Sequence, residues 1–417
     1  MTSGPSLRIL YVTNNFPYPL ATGLLRHYFL LRELARTHKV TLLSIVGSDF
    51  ARENEAPVAD FTERIVTFPR RRSRVGRGLT RIGVLLPGSR RRTPAVKLGK
   101  AGAGLVASQG FDVVLFSGKG TFPALEAFRQ LPVVIDMCDM GSSRVLGNLR
   151  FASARRLPTL LLEFVEMRRA ERLLAHKGDH LLLASARDRD LLLERHPDLR
   201  GRVPVSVLPN GVDLEYWRRT QTELGFSEIV FHGSMSWPPN EDAALHLVGD
   251  VMPLVWRSHP DARLSVVGHG AGPALRAAAT DSRIIVTGSV PDVRPFLEQA
   301  SVFAAPLRFG AGIQNKVLEA MAMEVPSVVS PLAAAGVRSG DGHDAPITVA
   351  ASAEEFASGL VQRLTTAERD PTPDRAGRQY VEHHFTWTQS GKLLAEILKD
   401  ASAGSHRVGG ATLRSPH

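Results

Sequence analysis

A lysine and a glutamate lie three residues apart in the stretch PLRFGAGIQNKVLEAMA, residues 306–322. The glycine-rich turn before them leads into a run with helical spacing. A helix start leaves backbone N–H groups unpaired at the positive end of the helix dipole. We therefore expect an anion site with Gly312 in the turn and Lys316 in the first helical turn. Arg308 precedes the turn and carries a planar guanidinium suited to phosphate oxygens.

Glu319 lies one turn further along the same helix. A carboxylate there could accept hydrogen bonds from two vicinal hydroxyls of a ribose, as acidic residues do in dinucleotide folds. The local pattern leaves one alternative open. Lys316 and Glu319 could instead form an exposed i,i+3 ion pair worth only ~0.2–0.5 kcal/mol.

Apolar, β-branched runs that predict strands alternate with segments of helical periodicity such as LRHYFLLRELARTH. The first series of strands lies at residues 7–12, 40–45, 113–116, 133–135 and 181–184. A second series comprises the segments VSVLPNG, EIVFHGS, RLSVVGHG, RIIVTGS, SVFAAPL and PSVVSP. Alternation of this kind builds parallel sheets that bind ligands at the carboxyl ends of their strands.

The pattern thus predicts an α/β protein with two Rossmann-like domains that face each other across a cleft. Pro, Gly and charged residues cluster at 201–204, which places the boundary between a domain of residues 1–203 and one of residues 204–377. The helical segment at about 378–400 is expected to pack back on the first domain. The Gly/Ser-rich residues 401–417 are expected to form a disordered tail.

Composition limits the compartment and the kinds of partner that we expect for this protein. The 417 residues include a single cysteine, Cys138, which excludes an intrachain disulfide framework. The first residues lack the regions of a secretory signal, and no apolar run reaches the ~18 residues of a spanning helix, so we expect a cytoplasmic protein. The formal net charge of +10 indicates attraction to an anionic partner.

Much of this charge lies in one segment, residues 70–92, which holds nine arginines and no acid. A solvated charge run is the simplest interpretation. A basic amphipathic surface that lies on anionic lipid is the second. Nucleic acid is a weaker third interpretation, because the segment has no aromatic residue on which bases could stack. The arginines proposed for this surface are Arg70, Arg71, Arg72, Arg74, Arg90, Arg91 and Arg92.

Several motifs of the second half occur in an order that is typical of one known protein family. They are VLPNGVDLEYW (207–217), VFHGSMSWPPNEDA (230–243), LSVVGHG, the long segment 286–330, and the closing HHFTW. Together they resemble glycosyltransferase family 4, retaining nucleotide-sugar enzymes of the GT-B architecture. The resemblance extends from about residue 7 to about residue 399. A set of spaced motifs is more specific than one glycine loop.

The resemblance implies a role for each donor-site residue. Glu319 would bind the ribose hydroxyls of the donor nucleotide, and Lys316 and Arg308 would hold its diphosphate. Gly233 and Ser234 occupy the loop after the first strand of the second domain, close to the donor phosphates. The residues expected to complete the donor site are Gly312 in the turn before the helix, Val290 near the base and Gly23 in the first glycine loop.

Asp136 and Asp139 lie in VIDMCDMGSSR, at the carboxyl end of a first-domain strand, where acceptor and catalytic groups gather. Asp139 is our candidate for contact with the reacting groups, although a capping or turn role fits its position equally well. The sequence also departs from the family. Ala311 replaces the first acid of the Glu-x7-Glu element, and Ser234 and Pro239 replace the usual Arg and Lys.

The resemblance implies a retaining glycosyltransferase that moves a sugar from a nucleotide-sugar donor to a glycan or lipid-linked acceptor, in cell-surface or exopolysaccharide biosynthesis. No cofactor beyond this co-substrate, no metal site and no nucleic-acid partner are expected. An anionic membrane surface at the inner face of the cell membrane would suit a lipid-linked acceptor. Two alternatives stay open: an inactive GT-B scaffold that binds nucleic acid or a partner protein, and a GT-B enzyme of another reaction, such as a nucleotide-sugar epimerase.

Overall fold

The structure is a computed structural model that describes residues 5–20, 24–70, 94–149, 154 and 156–409, without the side chains of 119 and 405–409. It contains two parallel sheets, each with helices on both faces. The α/β class with two Rossmann-like domains is therefore confirmed. Among the helices of these residues, none is long and apolar enough to cross a bilayer.

The first domain is built on a seven-stranded sheet in the order β3-β2-β1-β4-β5-β6-β7. Its strands are β1 (Arg8–Thr13), β2 (Lys39–Val46), β3 (Arg64–Pro69), β4 (Val113–Ser117), β5 (Val133–Cys138), β6 (His180–Leu183) and β7 (Val205–Val207). Its helices are α1 (Leu25–Ala35), α2 (Ala56–Ala59), α3 (Pro94–Ser108), α4 (Gly141–Leu149), α5 (Leu157–Ala175) and α6 (Ala186–Arg195).

Both faces of this sheet are buried, which explains why its strands are nearly continuous apolar runs. Along β1, Leu10 and Val12 enter one hydrophobic core, whereas Ile9 and Tyr11 enter the core on the opposite face. Strand order reverses between β1 and β4, which opens the crevice where open parallel sheets bind ligands.

The second domain repeats this plan with six strands in the order β10-β9-β8-β11-β12-β13. Its strands are β8 (Glu228–His232), β9 (Arg263–Val267), β10 (Ile284–Val286), β11 (Val302–Ala305), β12 (Ser327–Val329) and β13 (Thr348–Val349). Its helices are α7 (Pro238–His246), α8 (Met252–Val255), α9 (Pro273–Ala278), α10 (Arg294–Glu298), α11 (Asn315–Ala322), α12 (Pro331–Gly336) and α13 (Ala353–Arg369). Strand order reverses between β8 and β11.

The segment VSVLPNG does not begin the second domain, so that prediction is wrong. Its residues Val205–Val207 form β7, which pairs in parallel with β6 and extends the first sheet. Leu208 still belongs to a core of the first domain, while Val212 belongs to the core of the second. The Pro/Gly cluster at 201–204 is therefore a loop within the first domain, and the crossing follows Leu208.

The chain returns to the first domain between two helices, whereas the sequence pattern predicted a single helix there. α14 (Arg375–His384) packs on α11 of the second domain, whereas α15 (Trp387–Gly409) packs on α1 of the first. The rings of Phe29 and Trp387 stack with centroids 5.0 Å apart. Because α15 runs to Gly409, a disordered tail from residue 401 is also wrong for residues 401–409, and 410–417 lie outside the described residues.

The two chain crossings touch each other. The backbone N–H of Val212 donates to the carbonyl of Phe385 at 2.8 Å, and Val212 forms a parallel bridge with Thr386. A Cβ at Gly211 would lie only 2.1 Å from the backbone nitrogen of Trp387, so only glycine allows this approach. We call this pair of crossings, residues 209–212 and 385–387, the hinge.

Candidate functional site

The loops that follow β8 and β9 lie directly against each other. A Cβ at Gly268 would meet the carbonyl oxygen of Gly233 at 1.9 Å, and Gly268 has a φ of +137°. The N–H of Met235 donates to the carbonyl of His269 at 2.8 Å. Glycine at 268 thus fixes the loop of Gly233 at the carboxyl edge of the sheet.

Ser234 follows Gly233 and belongs to a polar cluster on this edge. Its hydroxyl lies 2.7 Å from the hydroxyl of Ser236 and 3.0 Å from Nε2 of His269. The cluster is partly exposed to solvent. Sequence reasoning missed His269, because a histidine after a glycine in a strand-end loop gives no distinct local signal.

Lys316 is the second residue of α11 and lies beside the same loop. Its Nζ donates to Oδ1 of Asn240 at 2.6 Å, and Nδ2 of Asn240 donates to the carbonyl of Ser234 at 2.9 Å. A Cβ at Gly233 would lie 3.4 Å from Cε of Lys316. Burial lowers the pKa of Lys316 to about 8, and the carboxylate of Glu319 partly offsets this. The ammonium therefore still predominates at neutral pH.

Glu319 is largely buried, with a side chain 14% exposed. Its Oε2 lies 3.7 Å from Nε2 of His232, a buried atom with no hydrogen-bond partner among the described residues. Burial raises the pKa of Glu319 to about 7, although Lys316 lowers it, and burial lowers the pKa of His232 to about 3. Glu319 thus faces a neutral imidazole and does not form the exposed ion pair with Lys316 that the local pattern allowed.

Arg308 lies between β11 and α11, and its guanidinium is hydrogen-bonded to Asp242 of α7. Its Nε donates to Oδ2 of Asp242 at 2.8 Å, and its Nη2 donates to the other carboxylate oxygen. The hydrogen bond to Asp242 raises the pKa of Arg308. Sequence reasoning missed Asp242, which lies 66 residues away from its partner.

The first domain reaches the glycine turn through Asp188. The N–H of Gly312, whose φ is +76°, donates to Oδ2 of Asp188 at 2.9 Å. Asp188 also accepts from the hydroxyl of Ser185 and from the N–H of Met140. From the sequence alone, Asp188 would be interpreted only as part of a helix cap, because Ser185 is the N-cap of α6.

Asp139 lies at the same place, after β5. A Cβ at Gly312 would come within 3.4 Å of Cβ and 3.9 Å of Oδ2 of Asp139. Asp136, by contrast, forms a buried ion pair with Arg26, with Nε–Oδ2 and Nη2–Oδ1 distances of 2.8 and 2.9 Å. Asp139 therefore faces the cleft, whereas Asp136 holds α1 on the first sheet.

The remaining predicted residues are more dispersed. Val290 is partly buried against the core of the second domain. Arg70 donates to the carbonyl of Asn14 at 2.8 Å. The residues that lie outside the described part of the chain are Gly23, Arg71, Arg72, Arg74, Arg90, Arg91 and Arg92.

Two groups of side chains in the described residues have ligand atoms close enough to hold a metal ion, all within 4.8 Å of one another. One comprises His176, His196 and Asp198, and the other comprises Asp341, His343 and His384. Neither group includes a residue of the candidate site.

Solved structures share this two-domain fold. The chain superposes with a TM-score of 0.65 on Anabaena Alr3699/HepE in complex with UDP and glucose, at 11% identity, covering 94% of this chain and 100% of that one. It superposes on sucrose-phosphate synthase from Thermosynechococcus elongatus with a TM-score of 0.64 at 13% identity, covering 95% and 100%. Residues 227–366 match the family model described as Glycosyl transferases group 1. The chain therefore has the GT-B fold, and part of its second domain resembles this group 1 family.

Curated relatives resemble part of this chain. A GDP-mannose-dependent monoacylated alpha-(1-6)-phosphatidylinositol monomannoside mannosyltransferase of Corynebacterium glutamicum is 26% identical over 46% of this chain and 55% of the relative. A phosphatidyl-myo-inositol mannosyltransferase of Mycobacterium tuberculosis is 28% identical over 52% and 64%. The matches thus span little more than half of the relatives' own length. The family resemblance and the GT-B fold predicted from the sequence are confirmed.

Proposed function

We propose that this protein is a retaining, metal-independent glycosyltransferase that moves a sugar from a nucleotide-sugar donor to a glycan or lipid-linked acceptor in cell-surface or exopolysaccharide assembly. The observation that carries the proposal is the placement of Lys316 and Glu319 on α11, beside the loop of Gly233 and within the segment of the family match. The names of the relatives support this class of donor and acceptor, since they include GDP-mannose and phosphatidylinositol compounds.

In this proposal Glu319 binds the donor ribose. An ionised carboxylate can accept hydrogen bonds from both vicinal hydroxyls. Its partial burial makes these hydrogen bonds strong, because water competes less for the carboxylate. With a pKa of about 7, the Glu319 carboxyl is partly protonated in the free protein at neutral pH. Because the ribose hydroxyls donate to the ionised form, nucleotide binding releases this proton.

Lys316 stabilises the departing diphosphate. Cleavage of the bond between sugar and phosphate builds negative charge on the leaving group, so the site must be positive there. The Nζ of Lys316 lies next to the Gly233 loop, and Asn240 orients it. Arg308 adds a second positive charge after it exchanges the carboxylate of Asp242 for phosphate oxygens.

Asp139 faces the reacting sugar from the first domain. Asp139 lies close to Gly312 of the second domain, so in this proposal it is on the side of the cleft from which the acceptor approaches. Retention follows from same-face attack, in which the acceptor hydroxyl gives its proton to the leaving phosphate. Closure of the cleft excludes water and so limits hydrolysis of the donor.

Thermal unfolding with a panel of nucleoside diphosphates and nucleotide sugars tests this function. A ligand that binds only the folded protein stabilises it by about 2.7 kcal/mol at a concentration of about 100 Kd. We expect stabilisation by one nucleotide, lost in Glu319→Ala and kept in the control Glu53→Ala, whose side chain is exposed on the first domain. No shift with any nucleotide in a folded sample would favour the inactive scaffold, whose salt-dependent binding to duplex DNA could then be measured.

A further inference from the structure

Four large apolar side chains stand exposed on two adjoining helices of the first domain. Leu146 of α4 is 47% exposed, and Leu161, Leu162 and Val165 of α5 are 52%, 48% and 52% exposed. The two helices pack against each other. We call these four residues the α4–α5 apolar face. Contiguous apolar surface of this kind marks an interaction site, whereas isolated apolar residues do not.

Most of the exposed residues of α5 form one stripe. At 100° per residue, one side of the helix carries the exposed Pro158, Leu161, Leu162, Val165 and Arg172 and the partly buried Arg169, whereas the exposed Thr159 lies off it. The stripe is apolar in its first half and basic in its second. It holds no acid within the described helix, since Glu163 and Glu166 lie off it.

The protein core does not account for these apolar residues. The buried residues of α5 are Ala170, Glu171, Leu174 and Ala175, all in the second half of the helix. Oε1 of Glu171 accepts a hydrogen bond from the N–H of Ser142 at 2.9 Å and so fixes this half to α4. Leu160 and Phe164 in the first half are only partly buried. The first half of α5 therefore has no fully buried apolar side chain.

The charges around the face indicate what covers it. Arg156 is exposed just before α5, Arg172 is exposed at the end of the stripe, and the chain carries a formal net charge of +10. We propose that the α4–α5 apolar face docks on an anionic phospholipid bilayer, with its leucines and valine among the acyl chains and with the neighbouring Arg156 and Arg172 at the phosphates.

This face is continuous with the candidate site. α4 begins two residues after Asp139, and a Cβ at Gly147 of α4 would lie 3.0 Å from Cβ of Phe309 in the second domain. The guanidinium of Arg144 lies 4.8 Å from the centre of the Trp237 ring across the cleft. A bilayer on the α4–α5 apolar face would thus hold lipid headgroups at the mouth of the cleft. Docking itself requires no donor and does not depend on the proposed function.

Sedimentation with vesicles tests the proposal. We expect the full chain to cosediment with vesicles of phosphatidylcholine and phosphatidylglycerol at low salt, and poorly with phosphatidylcholine alone. The triple variant Leu161→Gln, Leu162→Gln, Val165→Gln should bind about tenfold more weakly, because it loses the apolar contact. The matched control Phe226→Gln alters a side chain that is 64% exposed on the second domain and should bind like the wild type.

Four further measurements make the outcome decisive. Circular dichroism checks that the triple variant is folded, and a single Val165→Trp variant should show a blue-shifted emission with anionic vesicles that Phe226→Trp lacks. Unchanged binding of the folded triple variant, with loss on replacement of the arginines in residues 70–92, would overturn the proposal. The proposal would also be overturned if the wild type were a dimer in solution and the triple variant a monomer, with vesicle binding unchanged. The face would then bind a second copy of this chain.

Discussion

Asp188 of the first domain accepts a hydrogen bond from the backbone N–H of Gly312 in the second domain at 2.9 Å. The residue is 1% exposed, and the same carboxylate oxygen accepts from the Ser185 hydroxyl at 2.6 Å. Gly312 is where the sequence predicts an anion site. A carboxylate of the protein itself therefore accepts from that N–H in this structure, and a donor phosphate at the predicted site would have to compete with it.

Replacement of Asp188 tests this competition. In Asp188→Asn the acceptor at Gly312 is weaker, so the affinity for a nucleoside diphosphate should rise about fivefold, equivalent to one hydrogen bond of about 1 kcal/mol. Titration calorimetry measures it. Asp190→Asn changes an exposed carboxylate on the same helix and serves as the control. Unchanged or weaker binding in Asp188→Asn would mean that this contact only joins the domains.

The Arg26–Asp136 pair should contribute strongly to stability. Both side chains are almost fully buried, so Asp136→Ala leaves an uncompensated guanidinium and should lower the free energy of unfolding by about 3–5 kcal/mol. Arg129→Ala removes a side chain that is 64% exposed from its surface pair with Glu126, and it should lower the free energy of unfolding by less than about 1 kcal/mol. Urea unfolding of both variants measures the contrast, and equal losses would contradict it.

Glu319 should make stability depend on pH. Its folded pKa of about 7 lies above its ordinary value of 4.5, so its stabilising effect is complete below about pH 4.5 and lost as the pH rises through 7. Glu319→Gln lacks this effect. Relative to the wild type, the free energy of unfolding of the variant should increase by on the order of 1–3 kcal/mol as the pH rises from about 5 to about 8.

Denaturant unfolding across this pH range measures the difference. His232, whose pKa burial lowers to about 3, is present in both proteins, so the difference between the two curves reports on Glu319. Parallel curves would show that the carboxylate titrates in its ordinary range and is well solvated.

Gly268 should tolerate no side chain. A Cβ would lie 1.9 Å from the carbonyl oxygen of Gly233, and the φ of Gly268 is +137°. Gly268→Ala should therefore lower the free energy of unfolding by about 2–4 kcal/mol. It should also weaken nucleotide binding, because the Gly233 loop must shift. Gly104 lies within α3 with no described heavy atom within 4 Å of an added Cβ. Gly104→Ala should therefore stabilise by up to about 1 kcal/mol, owing to the better helix propensity. Similar melting temperatures for the two variants would refute this.

The parts of the fold that depend on local periodicity could be predicted from the sequence. The alternation of apolar runs and amphipathic segments predicted both sheets, and the glycine-rich turn placed Lys316 in the first turn of α11. β7 was assigned to the wrong domain because a strand of three residues fits the edge of either sheet, and only its pairing with β6 shows to which sheet it belongs.

The partners of the site residues could not be predicted, because they lie far away in sequence. Asp242 is 66 residues from Arg308, and Asp188 is 124 residues from Gly312. Each of these acids sits on a helix of ordinary composition, where an exposed carboxylate is the default expectation. The roles of Arg308, Lys316 and Glu319 in donor binding stay predictions until nucleotide binding is measured.

The hinge restricts how the two domains can move. Because Val212 is hydrogen-bonded to Phe385 and Gly211 lies against Trp387, the two connecting segments cannot swing separately. We expect them to bend together as a single two-stranded ribbon. Opening of the cleft should then be a rotation about this ribbon, and we expect Gly312 to return to its position opposite Asp139 and Asp188 when the cleft closes.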